Sequence, residues 1–193
     1  IPYTMRNPMY HWTHMELQRV FGIRQILSPD TALEIYEKCN KLLQEDGFSA
    51  QGLIRKFKVE VICTTDDPCD SLEYHKQIKD SEFEVEVLPT WRPDKSMAVE
   101  NTSEFASYLQ VFSEVSDIKI NSFDDYINAI RNRHDYFNSM GCKLSDHGIE
   151  DFYSNDCTIE EAEAIFDKVY IERKDLTNDE VYKFKSKMLY ENA

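Results

Sequence analysis

The stretch EVEVLPTWRPDK, from Glu84 to Lys95, joins a short apolar strand pattern to an abrupt polar end. Valine alternates with glutamate as far as Leu88, and the polar end holds Thr90, Trp91, Arg92, Pro93 and Asp94. In parallel α/β enzymes, the carboxyl ends of the strands carry the side chains of the active site. The stretch therefore predicts a strand over residues 83–89 that delivers an arginine and a carboxylate to a site.

Two further segments have the same form, one over residues 58–64 and one over residues 142–146. The polar residues at their ends are Thr64, Thr65, Asp66 and Asp67 for the first, and Ser145, Asp146 and His147 for the second. Helical patterns separate the three strands, which is typical of βαβ units and a parallel sheet. We expect the three polar ends to meet at one edge of that sheet.

The length of the chain limits this fold, because a complete (β/α)8 barrel needs about 250 residues and the chain has 193. We therefore predict an α/β fold that is a partial (β/α)8 TIM barrel, with about three parallel strands and their helices. A helical segment precedes it. The predicted division is a helical insertion over residues 1–57 and a partial barrel over residues 58–193.

Capping residues predict where the helices begin. In the first segment, we expect one helix to start at Thr13 with Glu16 and stop near Gly22, and a second to run from Ser28 to Gly47. Further starts are expected at Ser49, Asp70, Pro93, Asn101 or Thr102, Ser122, Thr158 with Glu161, and Thr177 with Glu180.

Composition excludes several classes of protein. The net charge of −14 argues against a nucleic-acid partner, since phosphates need a basic surface. The apolar runs are too short for a transmembrane helix, so no membrane partner is expected. Five cysteines without a CxxC motif argue against a disulfide framework or a structural zinc site. We expect a cytoplasmic protein.

Each strand end has a functional interpretation and a structural one. Thr65, Asp66 and Asp67 could orient a polyol or a metal-bound water, or the carboxylates could cap the helix over residues 71–79. The planar fork of Arg92 suits a carboxylate clamp, although an ion pair with Asp94 could instead tie down the loop. Trp91 and Asp94 are included with Thr65 and Arg92 as candidates for substrate binding.

His147 is the candidate metal ligand of the third strand end. Histidine is the commonest metal ligand and a general acid or base near neutral pH, but a lone histidine is more often structural. A catalytic base cannot be assigned from the residues, and no phosphate-binding loop, GxGxxG or GxSxG motif is present.

Four segments in order resemble the uronate isomerase (glucuronate isomerase) family of the amidohydrolase superfamily. They are RNPMYHWTHMELQRVFGI at 6–23, ICTTDDPCDSLEYH at 62–75, LPTWRPDK at 88–95 and GCKLSDHG at 141–148. The resemblance implies a metal-dependent (β/α)8 barrel that interconverts D-glucuronate with D-fructuronate, and D-galacturonate with D-tagaturonate, through an enediol. It also implies that Arg92 pairs with the carboxylate of the uronate.

The sequence departs from the family at both ends of the barrel. The H-x-H metal pair of the first strand is absent, and nothing after residue 171 resembles the last strand with its metal-binding Asp and following Arg. We therefore expect an internal piece of a longer enzyme that is inactive alone. The divalent metal, expected to be zinc, would have ligands largely outside this chain, and a homo-oligomer is possible.

Two other functions remain open on the sequence. One is another amidohydrolase-type enzyme, a sugar or lactone hydrolase on the same barrel. The other is a non-catalytic carbohydrate-binding fragment. The expected partner is a small-molecule sugar acid, a uronate.

Overall fold

The computed structural model describes residues 3–192, and these are mostly helical with one small parallel sheet. The chain divides after Glu60 into two compact units. The described helices are α1 Pro8–Phe21, α2 Ala32–Leu42, α3 Ala50–Lys56, α4 Glu73–Lys79, α5 Thr102–Ser116, α6 Phe123–Ser139, α7 Ile159–Phe166 and α8 Asn178–Glu191. Short 3-10 turns cover Asp46–Phe48 and Asp94–Met97, and a π turn covers Asp167–Ile171.

Helix α1 starts earlier than the sequence predicted. The side chain of Asn7 accepts a hydrogen bond from the backbone N–H of Met9, and Pro8 occupies the first turn, both of which favour a helix start. The start at Thr13 is therefore wrong, and the Thr13 hydroxyl donates instead to the Met9 carbonyl. The stop at Gly22 is confirmed by its left-handed conformation, with φ of 70°.

Helix α2 has neither of its predicted ends. Its cap is Thr31 and not Ser28, whose carbonyl accepts from the N–H groups of Thr31 and Ala32 in the preceding turn. The helix ends at Leu42, so the stop at Gly47 is wrong as well. Helix α3 is confirmed, since the Ser49 side chain accepts from the N–H of Gly52.

The sheet has two parallel strands in the described chain, β1 Val61–Cys63 and β2 Glu86–Leu88. Val61 pairs with Glu86, and Cys63 pairs with Leu88. The prediction of a third strand over residues 142–146 is wrong, because only Ser145 forms a parallel bridge, with Trp91. Lys143, Leu144 and Ser145 are exposed, so little apolar burial supports a longer strand there.

Helix α4 follows β1 as expected, but Asp70 is not its cap. The Asp70 carboxylate accepts a hydrogen bond from the N–H of Asp67, inside the turn, and Leu72 precedes the helix in a left-handed conformation. The starts at Asn101 and Ser122 are confirmed. The predicted capping boxes of α7 and α8 are also confirmed, Thr158 with Glu161 and Thr177 with Glu180.

The main core of the second unit lies among helices α5 to α8. Its largest fully buried side chains include Trp91, Phe105, Phe112, Tyr126, Phe137, Phe166 and Phe184. Full burial of one such aromatic side chain contributes about 1.5–3 kcal/mol. These helices thus supply the rigid body against which the strand ends are held.

Candidate functional site

The three predicted strand ends do lie side by side. Asp66 and Trp91 form one parallel bridge, and Trp91 forms a second with Ser145. The N–H of Arg92 donates to the Asp66 carbonyl at 3.1 Å, and the N–H of Asp146 donates to the Trp91 carbonyl at 3.1 Å. The backbone therefore carries the alignment of the strands beyond β1 and β2, and brings the three polar segments to one edge.

Arg92 lies between two carboxylates at this edge. Its Nε is 3.1 Å from Oδ2 of Asp94 and 3.6 Å from Oδ1 of Asp146, and the side chain is 37% exposed. Among the described residues, however, Nε of Arg92 and Oδ1 of Asp146 are buried atoms with no hydrogen-bond partner. The charges are near one another, but these two atoms form no hydrogen bond with a described group.

Asp94 links Arg92 to the third strand end. Its Oδ2 accepts a hydrogen bond from the N–H of Gly148 at 2.8 Å, and its Oδ1 lies 3.3 Å from Nδ1 of His147. Gly148 lies close to this pair, since a Cβ atom built there would be 3.0 Å from Nη2 of Arg92. Arg92, Asp94, Asp146, His147 and Gly148 are called the arginine cluster below.

The end of β1 holds a second set of polar groups. The Thr64 hydroxyl donates to Oδ2 of Asp66 at 2.6 Å, and Nε2 of His75 lies 2.7 Å from the same hydroxyl. Oδ2 of Asp66 also accepts from the N–H of Thr90 at 3.1 Å. Asp66 is thus a nearly buried carboxylate with several donors around it, which fixes its orientation.

Asp67 is held from the helical side of the same loop. The Tyr108 hydroxyl donates to its Oδ1 at 3.0 Å, and the N–H of Cys69 donates to the same oxygen at 2.9 Å. Burial, followed by the negative charge of Asp67, raises the pKa of Tyr108. Burial also raises the pKa of the Cys69 thiol to about 11. Both side chains therefore stay protonated at neutral pH. Nζ of Lys95 lies 3.4 Å from Oδ2 of Asp67.

The structure separates the predicted substrate-binding residues into those at the sheet edge and one in the core. At the edge, Arg92 and Asp94 lie together with His147, and Thr65 is exposed at the end of β1. Trp91 lies in the core, only 1% exposed, with its ring edge-on to Phe137 at 5.1 Å between ring centroids. Its Nε1 donates to Oδ1 of Asn192 at 3.3 Å, so Trp91 anchors the strand end from beneath.

Two contributors to these strand ends, His75 and Tyr108, were not among the candidate residues predicted from the sequence. Asp146 was recognised as a polar residue at a strand end, but not as a partner of Arg92. The contact of His75 with Thr64 could have been predicted, because His75 lies near the start of the helix that follows β1. In a βα unit, the start of the helix lies close to the end of the strand. The contact of Tyr108 with Asp67 spans 41 residues and has no local signal.

An open cavity of about 250 Å3 adjoins the arginine cluster, lined by Asp94, Gly148 and Lys185 among others. No group of three His, Cys, Asp or Glu side chains in the described chain is arranged to hold a metal ion. The residues here therefore do not make a metal site by themselves. All five cysteines are free thiols, and none of the described helices is long and apolar enough to cross a membrane.

These features define a class of protein: a mostly helical chain with a small parallel sheet and charged side chains collected at the carboxyl ends of its strands. The family model described as UxaC, glucuronate isomerase, matches residues 1–193. The chain belongs to the uronate isomerase family. Its resemblance to that family, predicted from four sequence segments, is confirmed.

Individual relatives agree with this assignment. The uronate isomerase of Bacteroides thetaiotaomicron is 57% identical over 98% of this chain and 40% of its own length. That of Cellvibrio japonicus is 46% identical over 100% of this chain and 41% of its own length. The chain therefore spans about 40% of the length of these curated relatives.

Two solved structures have the same fold over nearly the whole chain. The uronate isomerase of Thermotoga maritima matches with a TM-score of 0.90 and 35% identity, over 98% of this chain and 41% of its own. The glucuronate isomerase of Caulobacter crescentus matches with a TM-score of 0.88 and 29% identity, over 98% and 39%.

Proposed function

We propose that this chain is the central part of a uronate isomerase. The whole enzyme would interconvert D-glucuronate with D-fructuronate, and D-galacturonate with D-tagaturonate, by moving a proton between C1 and C2 through an enediol. The family match over the whole chain supports this function. The 40% share of the relatives' length supports the view that the chain supplies one part of the catalytic apparatus.

The arginine cluster is the observation that carries the proposal. A uronate differs from a neutral sugar by its carboxylate, and a guanidinium binds a carboxylate through two parallel hydrogen bonds. Arg92 stands at the strand ends with a partly exposed side chain, while its Nε is buried beside Asp94 and Asp146. We propose that Arg92 binds the carboxylate of the substrate and that Asp94 orients Arg92.

The remaining predicted residues receive different roles. Thr65, exposed at the end of β1, is proposed to contact the sugar hydroxyls. His147 is proposed to lie beside the substrate or the metal, with Asp94 fixing its ring through Nδ1. Trp91 was expected to contact substrate, but its burial favours a supporting role beneath Arg92.

The family implies a divalent cation, expected to be zinc, that polarises the carbonyl and hydroxyl oxygens of the sugar when it is bound. The described residues do not form a cluster of metal ligands, so most ligands would come from outside this chain. The steps assigned to this chain are therefore binding and orientation of the sugar acid.

The wider context of the enzyme follows from the same proposal. We propose that residues 58–193 are a section of a (β/α)8 barrel and residues 1–57 a helical insertion. The free thiols favour a reducing cytoplasm. A homo-oligomer is also proposed, and light scattering on the full-length gene product would test it.

The function is tested by assaying the full-length gene product and the isolated 193-residue chain with D-glucuronate and zinc. We expect the full-length product to form D-fructuronate and the isolated chain to form none. Substantial turnover by the isolated chain would contradict its role as one part of the site.

Product analysis separates this function from the alternatives. A ketose product identifies an isomerase, whereas ring opening of a lactone or cleavage of a sugar derivative identifies a hydrolase. A full-length product that binds D-glucuronate without converting it would favour the carbohydrate-binding function.

A further inference from the structure

Arg133, in the middle of α6, is a buried cation with an unusual set of partners. It is only 7% exposed. Its Nε donates to the Pro68 carbonyl at 2.8 Å, its Nη2 to the Asp70 carbonyl at 2.8 Å, and its Nη1 to the Val115 carbonyl at 3.3 Å. One guanidinium thus joins the loop after β1 to the end of α5.

The charge of Arg133 has no carboxylate partner in a salt bridge anywhere in the described chain. Burial lowers the pKa of Arg133, yet arginine stays protonated at neutral pH. Removing a charge from water costs several kcal/mol unless it is compensated. Backbone carbonyls and the ring of Tyr136, 4.3 Å from the guanidinium carbon, supply that compensation.

The loop that Arg133 holds is conformationally strained. Leu72 closes it with φ of 54°, a left-handed conformation that costs leucine roughly 1–2 kcal/mol. Such conformations persist only where the surroundings determine them. The Tyr136 hydroxyl, one turn from Arg133 on α6, donates to the Ser71 carbonyl in the same loop. Two neighbouring side chains of one helix therefore fix this loop.

The loop matters because it begins with Asp66 and Asp67. The Asp66 carbonyl accepts from the N–H of Arg92 at 3.1 Å, and Asp67 lies 3.4 Å from Nζ of Lys95. A shift of the loop would therefore be transmitted to the arginine cluster through the backbone.

Helix α6 also contacts the end of β2 and precedes the third polar segment in the chain. Phe137, one turn after Arg133, packs edge-on against Trp91, directly before Arg92. The helix ends at Ser139, and Asp146 and His147 follow seven and eight residues later. Helix α6 therefore holds the loop after β1 and the end of β2 relative to each other.

We propose that Arg133 is a positioning residue of the uronate site, which holds the loop after β1 in register with Arg92. Arg133 itself does not touch the substrate. This inference rests on the proposed function of the arginine cluster. Lysine cannot replace it, because an ammonium group is a point charge and cannot direct planar N–H groups at three separate carbonyls.

The test compares Arg133→Lys with Arg131→Lys in the full-length gene product. Arg131 lies two residues away on the same helix and is exposed, so the control makes the same chemical change without touching the loop. Since misplacement of about 1 Å can cost 100-fold in rate, we expect Arg133→Lys to raise KM for D-glucuronate about 5- to 10-fold and to lower kcat. Arg131→Lys should stay within about twofold of wild type.

The rise in KM is the informative result. A purely structural role would reduce the amount of folded enzyme, which lowers the apparent kcat and leaves KM unchanged. Values of KM and kcat equal to those of Arg131→Lys, or a loss of kcat with unchanged KM, would overturn the inference.

A milder variant covers the case in which Arg133→Lys does not fold. Tyr136→Phe removes only the hydroxyl that holds Ser71, and it should raise KM about twofold to threefold, from the loss of one hydrogen bond of about 1 kcal/mol or less. An unchanged KM would then overturn the inference. If the wild-type enzyme does not convert D-glucuronate at all, the proposed function fails before any variant is compared.

Discussion

The loop after β1 and the arginine cluster lie at the same edge of the sheet but are built differently. In the loop, Asp66 and Asp67 are surrounded by donors from Thr64, Thr90 and Tyr108. In the arginine cluster, Nε of Arg92 and Oδ1 of Asp146 lack hydrogen bonds to any described group. The carboxylates of the loop accept hydrogen bonds from within the chain, whereas the arginine cluster contains two polar atoms without a hydrogen-bond partner.

This difference suggests that the two regions have separate roles, one structural and one in binding. Buried polar groups are normally hydrogen-bonded, and an exception needs a specific reason such as a ligand. The loop is braced by Arg133 and Tyr136 and serves as a fixed edge. The arginine cluster is more exposed, and we propose it as the place where a sugar acid binds. Substitutions on the two sides test this difference.

The largest effect is expected for Arg92→Lys, which keeps the charge but removes the fork. In the full-length gene product it should lower kcat/KM for D-glucuronate about 10- to 100-fold, mainly by raising KM, since a charge-assisted hydrogen bond contributes about 1.5–3 kcal/mol. Steady-state kinetics with Arg131→Lys as control measure this. Unchanged KM and kcat would remove Arg92 from the site.

Gly148→Ala should have a smaller effect on the same cluster. An added Cβ would lie 3.0 Å from Nη2 of Arg92 and 3.1 Å from Oδ2 of Asp94, so both side chains must move by a few tenths of an ångström. We expect KM to rise roughly twofold to fivefold, because binding depends on their alignment.

Gly47→Ala is the matched control for this change, because a Cβ at Gly47 meets nothing within 4 Å. It should leave KM unchanged. Equal kinetics for the two glycine variants would mean that the position of Arg92 is not critical for uronate binding.

How much of this arrangement was predictable depends on the distance over which each feature is determined. The capping boxes at Thr158 and Thr177 were predicted because cap and partner lie three residues apart. The strands at residues 58–64 and 83–89 were recognised by their apolar pattern, although the ladders are shorter. The start at Thr13 failed because the stronger signal of Asn7 and Pro8 lies upstream.

The features that could not be predicted from the sequence depend on contacts between residues far apart in the chain. Arg133 reaches carbonyls 63 and 65 residues earlier in the chain, and nothing local distinguishes it from the exposed Arg131. The segment over residues 142–146 has strand-forming residues, but a strand also needs hydrogen-bonding neighbours, and Trp91 supplies only one bridge. Trp91 looked like a binding residue because the sequence cannot show which side of the strand end faces the core.

The smallest effect should lie far from both regions, at the start of α8. Two short bonds from Nζ of Lys168, at 2.7 and 2.8 Å, lower the pKa of Glu180 from its ordinary value of 4.5 to about 2. A lowered carboxyl pKa stabilises the folded state above pH 4.5, and this stabilisation is lost as the pH falls from 4.5 towards 2.

Glu180→Gln should therefore lower the free energy of unfolding at pH 7 by about 1 kcal/mol or less. A slightly lower melting temperature would measure this loss. The difference from wild type should shrink below pH 4.5. Glu172→Gln, in the more exposed pair with Lys174, is the control and should show no such trend. A difference that persists unchanged to pH 2.5 would contradict this account, and kinetic constants at pH 7 should not change in either variant.

The most direct test of the division between the two regions is a crystal structure of the full-length gene product with D-glucuronate bound. We predict that both carboxylate oxygens of the sugar lie about 2.7–2.9 Å from guanidinium nitrogens of Arg92, while Asp66 and Asp67 keep their bonds within the loop. A carboxylate bound elsewhere, with Arg92 still paired only to Asp94 and Asp146, would contradict the proposed role of Arg92.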